Sequence, residues 1–274
     1  IIFGIVVLLS VSFFIHIQFM KRKGNILDNI QFSASYSDKN DQLLQIFLTE
    51  DDKYRIFRPL EQYPPEFIEA LLMQEDKFFY THAGVNFVAL VKAGWETYIK
   101  KSRRIGASTI TMQVAKLKYN LYTKNIPGKI NQIIKAFYLE LCFSKDEILE
   151  AYLNLAPVGG NVEGFETGAW YYFNKNIRQL NLSEIIMLCV LPQNPIKRAP
   201  TTYRTPSELI SARKILFETW IEKHPEDEDK KIFMDMQMSV KCSFPNEARH
   251  FTEMIYHEKK IKNENGTTLR TTLD

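Results

Sequence analysis

Two clusters of residues have types and spacings suited to chemistry. The first is Glu75-Asp76-Lys77-Phe78-Phe79-Tyr80-Thr81-His82-Ala83-Gly84. It follows an apolar-periodic stretch, which places Glu75 at the end of a predicted helix beside a second carboxylate and three aromatic rings. Such surroundings raise a carboxyl pKa, and a Glu so raised serves as a general base or acid near neutral pH. A plainer reading is that Glu75 or Asp76 caps neighbouring backbone and His82 only packs. The second cluster is Thr97 to Leu139, which has no acidic residue and nine basic ones: Lys100, Lys101, Arg103, Arg104, Lys116, Lys118, Lys124, Lys129 and Lys135. At the chain's average such a stretch would hold about five acids. A field of one sign suits an anionic ligand or surface, a solvated basic face being the plainer reading. Within it, Gly106-Ala107-Ser108-Thr109 is a small-residue turn that opens an apolar-periodic segment. The start of a helix there offers backbone N–H groups and hydroxyls to phosphate oxygens. Gln113 with Lys116, and Lys129 with Gln132, are pairs three apart that share a helical face.

The elements that must position these residues are mostly helices. Pro64 and Pro65 start one, with Ile68, Leu71 and Leu72 on its apolar face. Ile130, Ile133, Ile134, Phe137 and Leu141 repeat at helical spacing. Ser144 with Glu147 makes a capping box before Ile148, Leu149, Tyr152 and Leu153, and Asn181 with Glu184 does the same before a run that Pro192 ends. Residues 207–223 form one more helix, and Pro225 to Lys231 is a solvated charged stretch. A short strand is expected within Leu43 to Leu48. The body is therefore mainly α. Ile1 to Met20 contains no Asp, Glu, Lys or Arg, and about 20 helical residues span about 30 Å of hydrocarbon. It is expected to be an uncleaved single-pass anchor, with residues 21–59 as a juxtamembrane segment.

Composition narrows the classes. With 274 residues, 45% hydrophobic, 24% charged and a net charge of +3, the chain is neither a disordered acidic protein, nor collagen-like, nor multi-span. Cys142, Cys189 and Cys242 are too few for a disulfide scaffold, have no zinc spacing, and are read as packing residues. There is no phosphate-binding Walker loop, no dinucleotide glycine fingerprint and no histidine pair at metal spacing. Ser211-Ala212-Arg213-Lys214 fits S-x-x-K without its companion motifs and is read as a chance match.

Taken together these residues resemble the peptidoglycan glycosyltransferases, glycosyltransferase family 51. Glu75 to Gly84 resembles that family's E-D-x-x-F-x-x-H-x-G. Gly106 to Gln113 resembles G-x-S-T-x-T-x-Q, with Lys116 at the family's lysine. Ser144 to Asn154 resembles its K-D-E-I-L-E-x-Y-L-N segment, and Gly159-Gly160, Gly164 and Tyr172-Phe173 follow in order. The likeness spans residues 60–200. The third motif departs from R-K-x-x-E, because Gly128 and Gln132 stand at the arginine and glutamate positions around Lys129. That form, with Ala-Pro-Val-Gly-Gly at 156–160 and Leu-Pro-Gln-Asn-Pro at 191–195, is similar to the 1C type of class A penicillin-binding protein.

The resemblance implies a lysozyme-like α lobe with a smaller membrane-proximal lobe. It implies a glycosyltransferase domain at 60–205, then a helical extension and linker at 206–274 leading to a transpeptidase domain in a longer chain. The implied substrate is lipid II, joined to a growing β-1,4 glycan with inversion and release of polyprenyl pyrophosphate. Glu75 would be the base, and Gln132 would orient groups at the reacting centre. Asp76, Phe79, His82, Gly106, Ser108, Thr109, Gln113, Lys116 and Lys129 would bind substrate. No cofactor is required; a divalent cation such as Mg can assist the pyrophosphate, but no ligand set for one is visible. Partners would be membrane lipid and the glycan strand, not nucleic acid, with the catalytic domain on the outer face of a bacterial inner membrane. Two alternatives remain: a weakly active or non-catalytic lipid II-binding scaffold, suggested by Gly128 and Gln132, and a lytic glycan-cleaving enzyme.

Overall fold

The computed structural model describes residues 24–86, 108–261 and 268–272. The expected anchor at 1–20, Gly106 and the basic residues at 100–104 lie outside them. No helix among the described residues is long and apolar enough to cross a membrane. In chain order the elements are β1 (Ser35–Ser37), β2 (Leu43–Ile46), α1 (Pro65–Glu75), α2 (Ile110–Lys118), α3 (Ile126–Cys142), α4 (Lys145–Leu155), β3 (Pro157–Gly159), β4 (Val162–Glu163), α5 (Phe165–Phe173), α6 (Leu182–Val190), α7 (Pro195–Arg198), α8 (Ser207–Ile221), α9 (Ile232–Asp235), α10 (Arg249–Ile261) and β5 (Thr268–Arg270). The fold is mainly helical, as the periodicity predicts. The chain divides into two compact units: Ile1–Ile30 with Phe78–Tyr152, and Gln31–Lys77 with Leu153–Asp274.

In the first unit α2 packs along α3. The apolar repeat predicts α3 correctly as a helix but does not mark its packed face. Gln132, Ala136, Leu139 and Cys142 are buried, whereas Ile130 is 52% and Ile134 59% exposed. The packed face is chosen by polar contacts with α2, described below, and not by the largest apolar side chains. Ser144 and Glu147 form the expected capping pair, with the Ser144 N–H donating to Glu147 Oε2 at 2.7 Å. Lys118 leaves the basic field altogether: its ammonium donates to Ile26 O at 2.6 Å and Asp28 O at 3.4 Å, tying α2 to the turn at 25–28.

In the second unit α1 packs on α6 and α8. Pro65 occupies the first turn of α1, where its missing N–H costs nothing. Phe67, Ala70 and Leu71 are buried; Ile68 and Leu72, expected on the apolar face, are half-buried at its margins. α6 begins with the predicted capping box of Asn181 and Glu184. The Asn154 side chain clasps the backbone of Arg58 from both sides, accepting from its N–H at 2.8 Å and donating to its C=O at 2.9 Å. β1 pairs antiparallel with β2, Tyr36 opposite Gln45, and parallel with β5, Tyr36 opposite Leu269. Gly159 has φ +146°, and a Cβ there would lie 2.3 Å from the Tyr172 hydroxyl, which donates to Val158 O at 2.9 Å. That close approach explains the glycine.

Candidate active site

Of the expected small-residue turn, Ser108 and Thr109 are among the described residues and lead into α2. Thr109 is the N-cap, its hydroxyl oxygen accepting from Met112 N at 3.1 Å while the hydroxyl donates to Gly84 O at 2.6 Å. Gly84 has φ +80°, and a Cβ there would sit 2.7 Å from Glu140 Cγ. The first motif's loop is thereby pressed against α3 and gripped by α2.

Lys129 rises from α3 to this turn. Its Nζ donates to Ser108 Oγ at 2.8 Å and to Gln132 Oε1 at 3.0 Å. Gln132 is 2% exposed and its Nε2 donates to Met112 O at 2.7 Å. Both ends of the amide are therefore used in holding α3 to α2 and Lys129 to Ser108. Burial pulls the Lys129 pKa down, and the neighbouring Lys116 ammonium adds to the effect. Neighbouring cations repel one another, and an anion near both relieves the cost. Gln113 lies on the same helix, its Oε1 accepting from the Tyr152 hydroxyl at 3.3 Å.

Gly128, at the motif arginine's position, is packed under the preceding turn. A Cβ there would lie 1.8 Å from Tyr122 O and 2.7 Å from Asn125 Oδ1. The departure from the motif is thus a property of this backbone, which leaves no room for an arginine.

Behind the turn lies a polar knot that sequence reasoning missed. Glu140 accepts from the Thr111 hydroxyl at 2.5 Å and from Lys145 Nζ at 2.7 Å. Lys145 also donates to His82 O at 2.7 Å and stands 4.5 Å from the Phe79 ring centroid. Phe79 is 1% exposed and packs edge-on against Tyr80 and His82. The Tyr80 hydroxyl donates to Asp146 at 3.1 Å, and burial followed by that carboxylate pushes its pKa up to about 12.

Glu75 and Asp76 belong to the second unit. Glu75 is the last residue of α1 and half-buried; Asp76 follows as its C-cap, 8% exposed, with its N–H on Leu72 O at 2.9 Å. Cys189 of α6 is fully buried, and burial and then the Glu75 charge push its thiol pKa well up. Arg198 is within electrostatic reach of Glu75; its own pKa is lowered by burial and partly restored by that carboxylate. Arg198, described further below, carries no local sequence signal, whereas Gln193 belongs to the Leu-Pro-Gln-Asn-Pro segment at 191–195. Among the described residues no group of three His, Cys, Asp or Glu is arranged to hold a metal ion.

The family model described as transglycosylase matches residues 40–220. The chain belongs to the transglycosylase family. This places it among the peptidoglycan glycosyltransferases. It is 38% identical over 172 residues to penicillin-binding protein 1C of Escherichia coli (strain K12), covering 63% of this chain and 22% of that protein. It is 30% identical over 266 residues to penicillin-binding protein 1B of Buchnera aphidicola, covering 91% of this chain and 34% of that one. The chain thus spans about a fifth to a third of the length of these relatives. A crystal structure of penicillin-binding protein 1A from Haemophilus influenzae aligns with TM-score 0.43 and 18% identity over 89% of this chain and 27% of its own.

Within the S-x-x-K stretch it is Arg213 that has a structural role. Arg213 is wholly buried, donating to Ser183 Oγ and Phe233 O at 2.8 Å and to Met236 O at 3.3 Å. Ser211 and Lys214 are exposed on the same helix.

Proposed function

We propose that this transglycosylase polymerises lipid II into β-1,4 glycan by a one-carboxylate mechanism. The Glu75 carboxylate takes the proton from the 4-hydroxyl of one sugar chain as that oxygen bonds to the anomeric carbon of the other. The bond from that carbon to the polyprenyl pyrophosphate breaks, the electron pair leaves with the pyrophosphate, and attack from the opposite face inverts the centre. General-base assistance of this kind is worth roughly 10²–10⁴-fold. Lys129 and Lys116 neutralise the departing charge, with Ser108 and the start of α2 as hydrogen-bond donors. Thr109, Gln132 and Gln113 hold that arrangement; Asp76, Phe79, His82 and Gly106 shape the substrate-binding region.

The observation that carries this reading is the ammonium of Lys129, fixed on Ser108 at the entry of α2 and within electrostatic reach of Lys116. Gln132 cannot ionise, and both ends of its amide are engaged, so it replaces no second acid. The proposal includes a lysozyme-like lobe over 60–205, a membrane-proximal lobe, an anchor at 1–20, and an extension at 206–274 that leads toward a transpeptidase domain. It also places the domain on the outer face of a bacterial inner membrane with lipid and glycan as partners. The chemistry asks for no cofactor, and Mg would act only on the pyrophosphate.

Gly128 and Gln132 favour a second reading, a lipid II-binding scaffold. Supplying lipid II and preformed glycan strands to the full-length protein separates the readings. Glycan growth from lipid II supports the transferase, binding without turnover supports the scaffold, and shortening of strands supports a lytic enzyme.

A further inference from the structure

The second unit contains a cation that the proposed mechanism does not use. Arg198 ends α7, and its Nη1 donates to Val190 O at 2.6 Å and to Gln193 Oε1 at 3.2 Å. Gln193 in turn donates through Nε2 to Gln74 O at 3.2 Å. This two-bond relay ends on the residue before Glu75. Val190 is the last residue of α6, so its carbonyl has no partner within its own helix, and Arg198 supplies one. The guanidinium therefore grips α6 and α1 together while holding a full positive charge near the end of α1.

Other charged or titratable groups among the described residues lie on the elements packed there. Asp76 and Lys77 follow directly, the first buried and the second exposed. α6 presents the Cys189 thiol. On α1 itself Glu69 is occupied, paired with Lys223 and His224. α8, which packs on α1, turns Arg213 toward Ser183, Phe233 and Met236. Arg198 and Glu75 are within electrostatic reach of one another, and the positive charge of Arg198 opposes the like charge that Asp76 brings to that end.

We propose that Arg198 is a positioning residue for Glu75: through Gln193 it fixes the end of α1, and through its charge it keeps the carboxylate ionised, as a proton acceptor must be. This rests on the reading of Glu75 as the base. A neighbouring opposite charge lowers a carboxylate pKa by about one to three units, so removing it moves the base form to higher pH. An arginine supplies this charge at every working pH, because its own pKa stays far above neutrality.

The test is the pH dependence of kcat/KM for lipid II polymerisation by the full-length protein. Arg198→Met and Arg198→Gln are compared with wild type, Glu75→Gln and Arg198→Lys, and melting temperatures confirm folding. Arg198→Gln keeps a donor for Val190 O without the charge. The acidic limb is expected to rise by about one pH unit in both neutral variants, with a smaller loss on the plateau than on the limb. Arg198→Lys should restore the limb. An unshifted limb, or an equal loss at every pH, would reduce Arg198 to a helix cap and overturn the proposal. If Glu75→Gln polymerises at the wild-type rate, the base reading itself has failed, whatever the Arg198 variants do.

Discussion

The cradle at α2 and α3 and the carboxylate end of α1 are built in opposite ways. In the cradle the side chains are fixed to one another by short hydrogen bonds: Lys129 to Ser108 and Gln132, and Gln132 to Met112. At the end of α1 the groups described near Glu75 include residues more than a hundred positions away: Cys189 and Arg198 within reach of its charge, and Gln193 bonded to the preceding carbonyl. A site for a charged leaving group needs donors held rigidly at one place. A base needs its proton affinity set, which neighbouring charge and burial do at longer range.

The largest effect should come from Glu75→Gln. It keeps the size of the side chain and removes the proposed base, so lipid II turnover is expected to fall roughly 10²–10⁴-fold with little change in melting temperature. Lys129→Met should follow, lowering turnover by about 10²-fold and weakening binding of a soluble polyprenyl pyrophosphate. If it binds that ligand as wild type does, the contrast between the two regions is lost.

Two substitutions address structure instead of chemistry. Arg213→Met removes the buried guanidinium and its bonds to Phe233 O, Met236 O and the Ser183 hydroxyl, and is expected to cost about 3 kcal/mol. Calorimetry should show this as a fall in melting temperature of roughly 6–12 °C. Gly128→Arg, which would restore the family motif, forces a Cβ into Tyr122 O. Its expected cost is about 1–3 kcal/mol, with no gain in polymerisation; a more active variant would show that the tight turn does not exclude the arginine.

The smallest effect is a pH dependence. The folded pKa of Lys129 lies below the ordinary lysine value of 10.5. As pH rises through the folded value the native state loses this proton before the unfolded state does, so stability gains slightly up to 10.5. In the same window the cradle loses charge, and the proposed affinity for pyrophosphate should fall. Lys129→Arg should move that alkaline fall upward; titration by calorimetry at fixed salt would read it.

This contrast also explains what was legible in the sequence. The turn before α2 could be read because Ser108, Thr109 and the helix they start are neighbours in the chain, as are both capping boxes. The helix α3 could be read from its apolar repeat, but not its orientation. Gln132 and Glu140, the residues that choose the packed face, are polar, and their partners lie on α2 and at Lys145. The role of Arg198 was hidden in a proline-flanked segment that reads only as a boundary. The pairing of β5 with β1 joins residues more than two hundred positions apart, which no local pattern reports. Gly128 could be seen to depart from the motif, but the Tyr122 carbonyl that requires it could not.

The most direct measurement is a parallel one on the full-length protein: lipid II binding and single-turnover polymerisation by wild type, Glu75→Gln and Lys129→Met. The account predicts that Glu75→Gln binds lipid II as wild type does but barely turns it over, while Lys129→Met loses both. Polymerisation by Glu75→Gln at the wild-type rate, or undiminished binding by Lys129→Met, would contradict it.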